Sequence, residues 1–289
     1  MENKLLTIAI PTYNRSNYLK KSLDSICSQL NERVIIVVQD NCSNNYNFYD
    51  FIDPYVHKYG IIAIQNKNNI GADANIAKLF ENCTTKWLWV LGDDDYLKEN
   101  IVNEIIEILE KNSETIFVKF NSQKSVKVCG IYKFAEYMKP LYTFSNCYFI
   151  SEGIHNMDLT RSSVYYNYKF LSSKISQILR VVFHIIENPK SCCYFCEFSV
   201  LKTHGTNIQW QHSDLIVPNL YTLDVLRPYK KIFKDNVLRT ISYLTMIYIK
   251  ESNYTFYDKI YFFTLLVKKY GIINMMRYNL KLFLTLILR

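Results

Sequence analysis

The sequence predicts an α/β fold: a mostly parallel central sheet with helices on both faces, followed by a helical C-terminal extension. Three observations predict it. Short β-rich apolar runs alternate with helical patterns through the first 120 residues, as in a parallel sheet with right-handed crossovers. Four of those runs are each followed by a polar cluster, at 12–15, 40–43, 66–71 and 93–95. Ligands of such sheets bind beyond the C-terminal strand ends, so the four loops are expected to converge on one edge. After residue 232 the pattern becomes helical, with aromatic-rich apolar faces and interspersed lysines.

The elements follow in order. "LLTIAI" (5–10) is a short strand that Pro11 ends, and a polar turn leads to Ser16, which is placed to cap a helix. Leu19, Leu23, Ile26, Cys27 and Leu30 recur at helical spacing and give that helix its apolar face. "RVIIVVQ" (33–39) is apolar on both faces, as a strand inside a parallel sheet must be. A polar loop leads to a helix over 47–58 and a third strand, "IIAIQ" (61–65). After "NKNNIG" a helix starts near Ala72, and "KWLWVL" (86–91) is the fourth strand. Beyond the acidic triplet, "KENIVNEIIEILEK" (98–111) is an amphipathic helix striped by Ile101, Ile105, Ile108 and Leu109. "TIFVKF" (115–120) is the fifth strand. From about residue 130 the periodicity weakens: 169–187 reads as helix, and "SCCYFCEFSV" as a strand or a buried extended segment.

Lys and Arg (34) outnumber Asp and Glu (26), for a net charge of +8. The surplus is C-terminal. Residues 226–289 hold twelve basic side chains against three acids, which leaves 1–225 with a net −1. Any basic partner surface therefore belongs to the C-terminal region. An acidic first half without a recognised module argues against nucleic acid as the partner. Eight cysteines occur, but no CxxC pairs with a second one, and "MENKLLTIAIPTYN" lacks a basic segment followed by a long apolar one. The expectation is a reducing cytoplasm, no disulfide framework, and buried thiols rather than a metal site in "CCYFC".

The acidic triplet carries the chemistry. Three carboxylates at a strand end favour a hard divalent cation, Mn²⁺ or Mg²⁺, which takes oxygen ligands and shares a substrate diphosphate. In an extended chain Asp93 and Asp95 would face one side together, with Asp94 turned to another partner. The repulsion among the three would then be relieved only by the cation. A helix-initiating acidic turn is the plainer alternative. The motifs "GxGxxG" and "GxxxxGK[ST]" are absent, which argues against a dinucleotide or P-loop enzyme.

Residues 5–120 resemble the nucleotide-sugar-binding half of family 2 glycosyltransferases with the GT-A fold. The resemblance rests on "TIAIPTYNR" (7–15), "VVQDNCS" (37–43), "NNIGADAN" (68–75) and "WLWVLGDDDYL" (87–97). It implies a GT-A catalytic domain over 1–225, with a nucleotide-sugar-binding half (1–120) and an acceptor half (121–225). By the same resemblance, Pro11, Thr12, Tyr13 and Arg15 line the base and ribose pocket, and Asp40 bonds the base. Asn69 and Gly71 lie near the base or diphosphate, Asp93 and Asp94 join the nucleotide-sugar site, and Asp95 ligates the metal. The implied substrates are a nucleotide-diphosphate sugar donor and a glycan or lipid-linked glycan acceptor. The chain departs from the family pattern at Asn44 and Asn45, where an acid often follows the Ser of the second loop. It departs again at Ala74, where a basic residue commonly precedes the Asn.

Inverting transfer needs a general base to take the acceptor proton. The family generally supplies an Asp downstream of the metal site, and Asp214 in "NIQWQHSDLIVPNLY" (207–221) is the chosen candidate. Asp224, Glu197 and Glu187 are the alternatives. His212 reads as an acceptor-site or surface residue, and Trp210 either stacks on a sugar or packs in a core. The expected activity is metal-dependent inverting transfer to a surface glycan such as lipopolysaccharide, lipooligosaccharide, capsule or lipid-linked oligosaccharide. A sugar nucleotidyltransferase is one rival, but "PTYNRSNYL" lacks its glycine-rich basic loop. A catalytically inactive binding module is the other, and intact Asp40, Asp93 and Asp95 speak against it.

The apolar runs of residues 255–289 are too short for a bilayer, which needs about 20 residues. Their lysines and aromatics suit an interfacial helix pair on an anionic leaflet, and hence a cytoplasmic protein peripheral at the inner face of the cell membrane. The alternative is a helical subdomain that packs on the catalytic domain or forms a homodimer.

Overall fold

The structure is a computed structural model that describes residues 4–139, 146–203, 222, 224–226, 229–250 and 255–273. They form two compact units, one of residues 1–134, 147–171 and 176–207, the other of 135–146, 172–175 and 208–289.

The first unit opens with three strand–helix repeats: β1 (Leu6–Thr12), α1 (Ser16–Cys27), β2 (Val34–Asp40), α2 (Phe48–Tyr59), β3 (Ile62–Gln65) and α3 (Ala72–Asn82). There follow β4 (Trp87–Val90), β5 (Tyr96–Leu97), α4 (Ile101–Lys111), β6 (Phe117–Lys119), β7 (Val126–Cys129) and α5 (Ile131–Tyr137), which runs out of this unit. Beyond them lie β8 (Gly153–Asn156), α6 (Met157–Thr160), α7 (Tyr165–Lys169), α8 (Ser176–Glu187), β9 (Cys192–Phe195) and β10 (Leu201–Thr203). Eight strands form one sheet in the order β3-β2-β1-β4-β8-β6-β9-β7. The four strands from β3 to β4 are parallel throughout. β10 pairs with β5 in a separate two-stranded sheet.

The five strands read from the sequence are all present, with two differences. β1 continues past Pro11 to Thr12, because β2 pairs with it as far as Asp40. Pairing with β4 stops at Ala9, so Pro11 lies beyond the β4 ladder, where its missing N–H would count. The fifth strand, β6, does not lie beside β4. β8 runs between them, antiparallel to both. Gly153 permits this, since a Cβ there would come within 2.7 Å of the Phe117 ring.

Alternation along β1 and β4 divides the core between the two faces. Ile8, Ile10, Trp87 and Trp89 join Leu19 and Leu23 of α1 and Ile105 and Leu109 of α4 on one face. Ala9, Leu88 and Val90 join Leu79 and Phe80 of α3 and Met157 of α6 on the other. Ser16 is the first helical residue rather than the cap. Arg15 holds the N-cap position and makes no side-chain cap bond.

The cysteine expectation is corrected at one pair. Cys129 and Cys192 face each other across antiparallel β7 and β9 and form a disulfide. Cross-strand register brings them together over a separation of 63 residues, which spacing motifs do not reveal. Cys193 and Cys196 are buried thiols, as expected.

The second unit contains α9 (Lys230–Lys250) and α10 (Phe256–Tyr270). Asn236 Nδ2 donates to the Ala135 carbonyl (3.0 Å), and Lys269 pairs with Asp224 (2.7 Å). Among the described residues, no helix is long and apolar enough to cross a membrane.

Candidate nucleotide-sugar site

The loops that follow β1 to β4 are joined by side-chain hydrogen bonds. After Thr12, Asn14 adopts a left-handed conformation (φ 57°), which Asn tolerates better than most residues. Its backbone N–H donates to Ser43 Oγ (2.7 Å), its Nδ2 donates to Asn44 Oδ1 (2.9 Å), and its Oδ1 accepts from the Asn44 N–H (2.9 Å). The first loop is thereby fixed to the second.

Asp40, at the end of β2, is fully buried. Its carboxylate accepts from the Ser43 N–H (2.7 Å), the Ser43 hydroxyl and Gln65 Nε2 (2.8 Å). Amides then bind the third loop to the second. Asn41 donates to Asn69 Oδ1 (2.8 Å), and Asn66 donates to Asn41 Oδ1 (3.0 Å) and Asn75 Oδ1 (2.7 Å). Asn69 Oδ1 also accepts from the Gly71 N–H (2.9 Å). Gly71 sits at φ +84° before α3, where a Cβ would be strained.

The acidic triplet is not extended. Residues 93 and 94 form a turn in which the Asp95 N–H donates to the Gly92 carbonyl (3.1 Å), so the alternation expected of Asp93 and Asp95 does not apply. Asp93 is buried. It accepts from Thr12 Oγ1 (2.7 Å) and pairs with Arg15 Nη1 (3.0 Å), while Arg15 Nη2 reaches Asp94 (2.6 Å). One guanidinium therefore bridges two adjacent carboxylates. It replaces the expectation that only a cation relieves their repulsion.

Burial pushes the Asp93 carboxyl up to about 6, against the pull of Arg15 and Thr12. Burial draws the Arg15 guanidinium down, and Asp93 and Asp94 more than reverse it. Arg15 also lies over the Tyr18 ring, 4.7 Å from its centroid, and its buried Nε has no acceptor.

Behind the turn, Ser151 Oγ accepts from the Gly92 N–H (2.8 Å), and Trp89 Nε1 donates to the Ser151 carbonyl (2.8 Å). Glu152 is held by Lys119 (2.6 Å) and Asn121 (2.8 Å), which anchors this support in the core.

Gly92 lets the side chains of the turn pack close to the main chain. A Cβ there would lie 2.8 Å from Asp95 Oδ2, 3.2 Å from Asp94 Oδ1 and 3.3 Å from Ser151 Oγ. The absent methyl thus leaves a space lined by three oxygens, and the two carboxylate oxygens stand at most 6.0 Å apart. A hard cation takes oxygen ligands of this kind. No group of three acidic, His or Cys side chains that could hold a metal occurs among the described residues. A cation here would keep waters and share substrate oxygens.

Gly92→Ala is expected to fold with a loss of about 1–2 kcal/mol, because the ends of Asp95 and Asp94 and the buried Ser151 hydroxyl must all give way. Mn²⁺ affinity should fall at least about tenfold as those ends are displaced. Thermal melts alongside Mn²⁺ titrations check both halves.

Of the residues expected at the site, Thr12, Arg15, Asp40, Asn69, Gly71, Asp93, Asp94 and Asp95 stand on these joined loops. Pro11 is part-buried in β1 opposite Gln39, and Tyr13 is exposed (38%). Asn14, Asn41, Asn66, Asn75 and Ser151 help build the site and were not singled out from sequence. Their partners lie nine or more positions away, beyond any local pattern.

Asp214, His212 and Trp210 lie outside the described residues. Of the alternative acids, Asp224 pairs with Lys269, Glu187 accepts from the Tyr166 hydroxyl, and Glu197 is exposed.

Residues 7–167, more than half of the chain, match the sequence profile of glycosyl transferase family 2. The chain belongs to that family. Among relatives of this family 2 member, abequosyltransferase RfbV of Salmonella typhimurium is 32% identical over 100 residues, covering 33% of this chain and 30% of that protein. The processive diacylglycerol beta-glycosyltransferase of Mycoplasma genitalium is 28% identical over 114 residues, covering 38% and 33%. The match thus spans about a third of the length of these relatives.

The family 2 chain also resembles S. aureus TarS 1–349 in complex with UDP, with a TM-score of 0.61, 11% identity, and coverage of 89% of this chain and 78% of that one. A second solved neighbour is the mannosyltransferase PcManGT of Pyrobaculum calidifontis in complex with GDP-Man and Mn²⁺, with a TM-score of 0.50, 12% identity, and coverage of 95% and 86%. At these identities the likeness is one of fold, and the fold is GT-A.

Proposed function

We propose that the protein is a metal-dependent inverting glycosyltransferase that moves a sugar from a nucleotide-diphosphate donor to a hydroxyl of a surface glycan. The observation that carries this reading is the hydrogen-bonded union of four loops around the turn of Asp93, Asp94 and Asp95, at the strand ends where such sheets bind ligands. Solved neighbours of the same fold contain UDP-GlcNAc, or GDP-Man with Mn²⁺, which supports a nucleotide sugar as the ligand class.

In this reading exposed Tyr13 offers a ring face to the base, beside Pro11 and Thr12. Asp40, held by three hydrogen bonds from its own loops, is the proposed partner of the base. Asn69 and Gly71 border the diphosphate, Asp93 with Asp94 contacts the ribose or sugar, and Asp95 is the proposed metal ligand. A bound Mn²⁺ or Mg²⁺ would neutralise the diphosphate and make it a better leaving group.

Asp214 is the proposed base, with Asp224, Glu197 and Glu187 behind it. Asp214→Asn should lower transfer by about 10²–10⁴ while donor binding persists. Near-full turnover in that variant would remove the assignment. The function itself is tested by assaying sugar release from UDP-, GDP-, CDP- and dTDP-sugars with Mn²⁺. No release from any donor would favour an inactive binding module, and release of pyrophosphate from a nucleoside triphosphate and a sugar phosphate would favour a nucleotidyltransferase.

The proposed acceptor is a lipid-linked or surface glycan at the inner face of the cell membrane. Phe256, Tyr257, Ile260 and Tyr261 are exposed on one side of α10, at 66%, 82%, 45% and 70%, in a region with a surplus of nine basic charges. Binding to phosphatidylglycerol vesicles at moderate salt is expected. Concentration-dependent dimers with no vesicle binding would favour the homodimer.

A further inference from the structure

We infer that Arg15 is a positioning residue that stands in for the divalent cation at the acidic turn, so that metal and nucleotide diphosphate bind as a pair and the metal alone binds poorly. The inference rests on the nucleotide-sugar reading of the site. Arg15 Nη1 and Nη2 occupy Asp93 and Asp94 at 3.0 and 2.6 Å. Asp94 Oδ1 also lines the oxygen space over Gly92. A cation that enters that space alone approaches a carboxylate already neutralised by a guanidinium, and it meets the guanidinium's own positive charge.

A diphosphate changes both conditions. It brings negative charge that pairs with the cation, and acceptor oxygens that take guanidinium N–H groups. Arg15 has such a group to offer, because its Nε is buried without an acceptor. The side chain is 20% exposed and held by ion pairs and the Tyr18 ring face. Its backbone is fixed at the N-cap of α1 and accepts from the Leu19 N–H (3.0 Å). The guanidinium can therefore change partners while the main chain stays in place. Arg15 thus couples donor to metal: it keeps the acids compact before loading and passes to the diphosphate on loading.

The test measures Mn²⁺ binding by the full chain, from loss of the free-Mn²⁺ electron paramagnetic resonance signal, with and without UDP or GDP. In the parent, nucleotide should tighten Mn²⁺ binding strongly. Arg15→Met should bind Mn²⁺ alone about tenfold tighter than the parent and show a smaller nucleotide effect. Arg15→Lys, which keeps the charge, should restore weak metal-only binding. Metal-only affinity that is unchanged or weaker in a folded Arg15→Met would overturn the inference.

Should Arg15→Met fail to fold, the parent protein still decides. Its Arg15 Nε–H resonance should hold still with millimolar Mg²⁺ and shift when UDP or GDP is added with Mg²⁺. A shift with Mg²⁺ alone, or equal metal affinity with and without nucleotide, would overturn the inference. Nucleotide binding without that coupling defeats the role of Arg15 only. No binding of any nucleotide, with or without metal, defeats the donor reading itself.

Discussion

Asp93→Ala should destabilise the protein by about 3 kcal/mol and abolish donor binding. Its carboxylate is buried and receives both Thr12 Oγ1 and Arg15 Nη1, so removal takes the acceptor from both donors. Arg15 keeps Asp94, which limits the loss. The double variant Asp93→Ala/Arg15→Met should recover part of it, because the Nη1 donor that lost its acceptor is removed as well. Urea unfolding of the two single variants and the double variant measures this directly. A loss below about 1 kcal/mol in Asp93→Ala would show that the pair is solvated and contributes little.

The second large effect separates the two neighbours. Asp95→Asn should lower kcat/KM by about 10³, because the proposed metal ligand loses its charge, and several kcal/mol of charge stabilisation goes with it. Asp94→Asn should cost far less, about tenfold, because its carboxylate is the partner of a surface-reachable guanidinium and the amide oxygen still accepts from Arg15 Nη2. Steady-state kinetics across Mn²⁺ concentrations check the contrast. Equal losses would place the metal on both side chains.

The parts of this molecule legible from sequence were those written in local periodicity. β1 to β4 and their helices announce themselves through runs such as "RVIIVVQ", and the four polar clusters fall where parallel strands end. The direction of the loops followed from topology alone. What stayed hidden depends on pairs far apart in the chain. Arg15 meets Asp93 and Asp94 across 78 and 79 positions, and nothing near residue 15 signals it. The triplet was read as extended because a strand precedes it. It forms a turn instead, and the turn brings two carboxylates to one guanidinium. Cys129 and Cys192 share a register set by β7 and β9, short strands in a region of weak periodicity. β8, "GIHN", is four residues long with no apolar alternation to mark it.

The place of β8 bears on how the chain is made. Strands β3, β2, β1 and β4 are complete by residue 90, and α4 follows to cover one face. The far edge of β4, carrying Trp87 and Trp89, gains its partner only when residues 153–156 emerge. During synthesis that apolar edge waits for more than sixty residues with its N–H and C=O groups unsatisfied by a neighbour strand. The nascent protein is therefore exposed to sticking to other chains through this edge in this interval. A chaperone that shields the β4 edge until β8 arrives would raise the yield of folded enzyme.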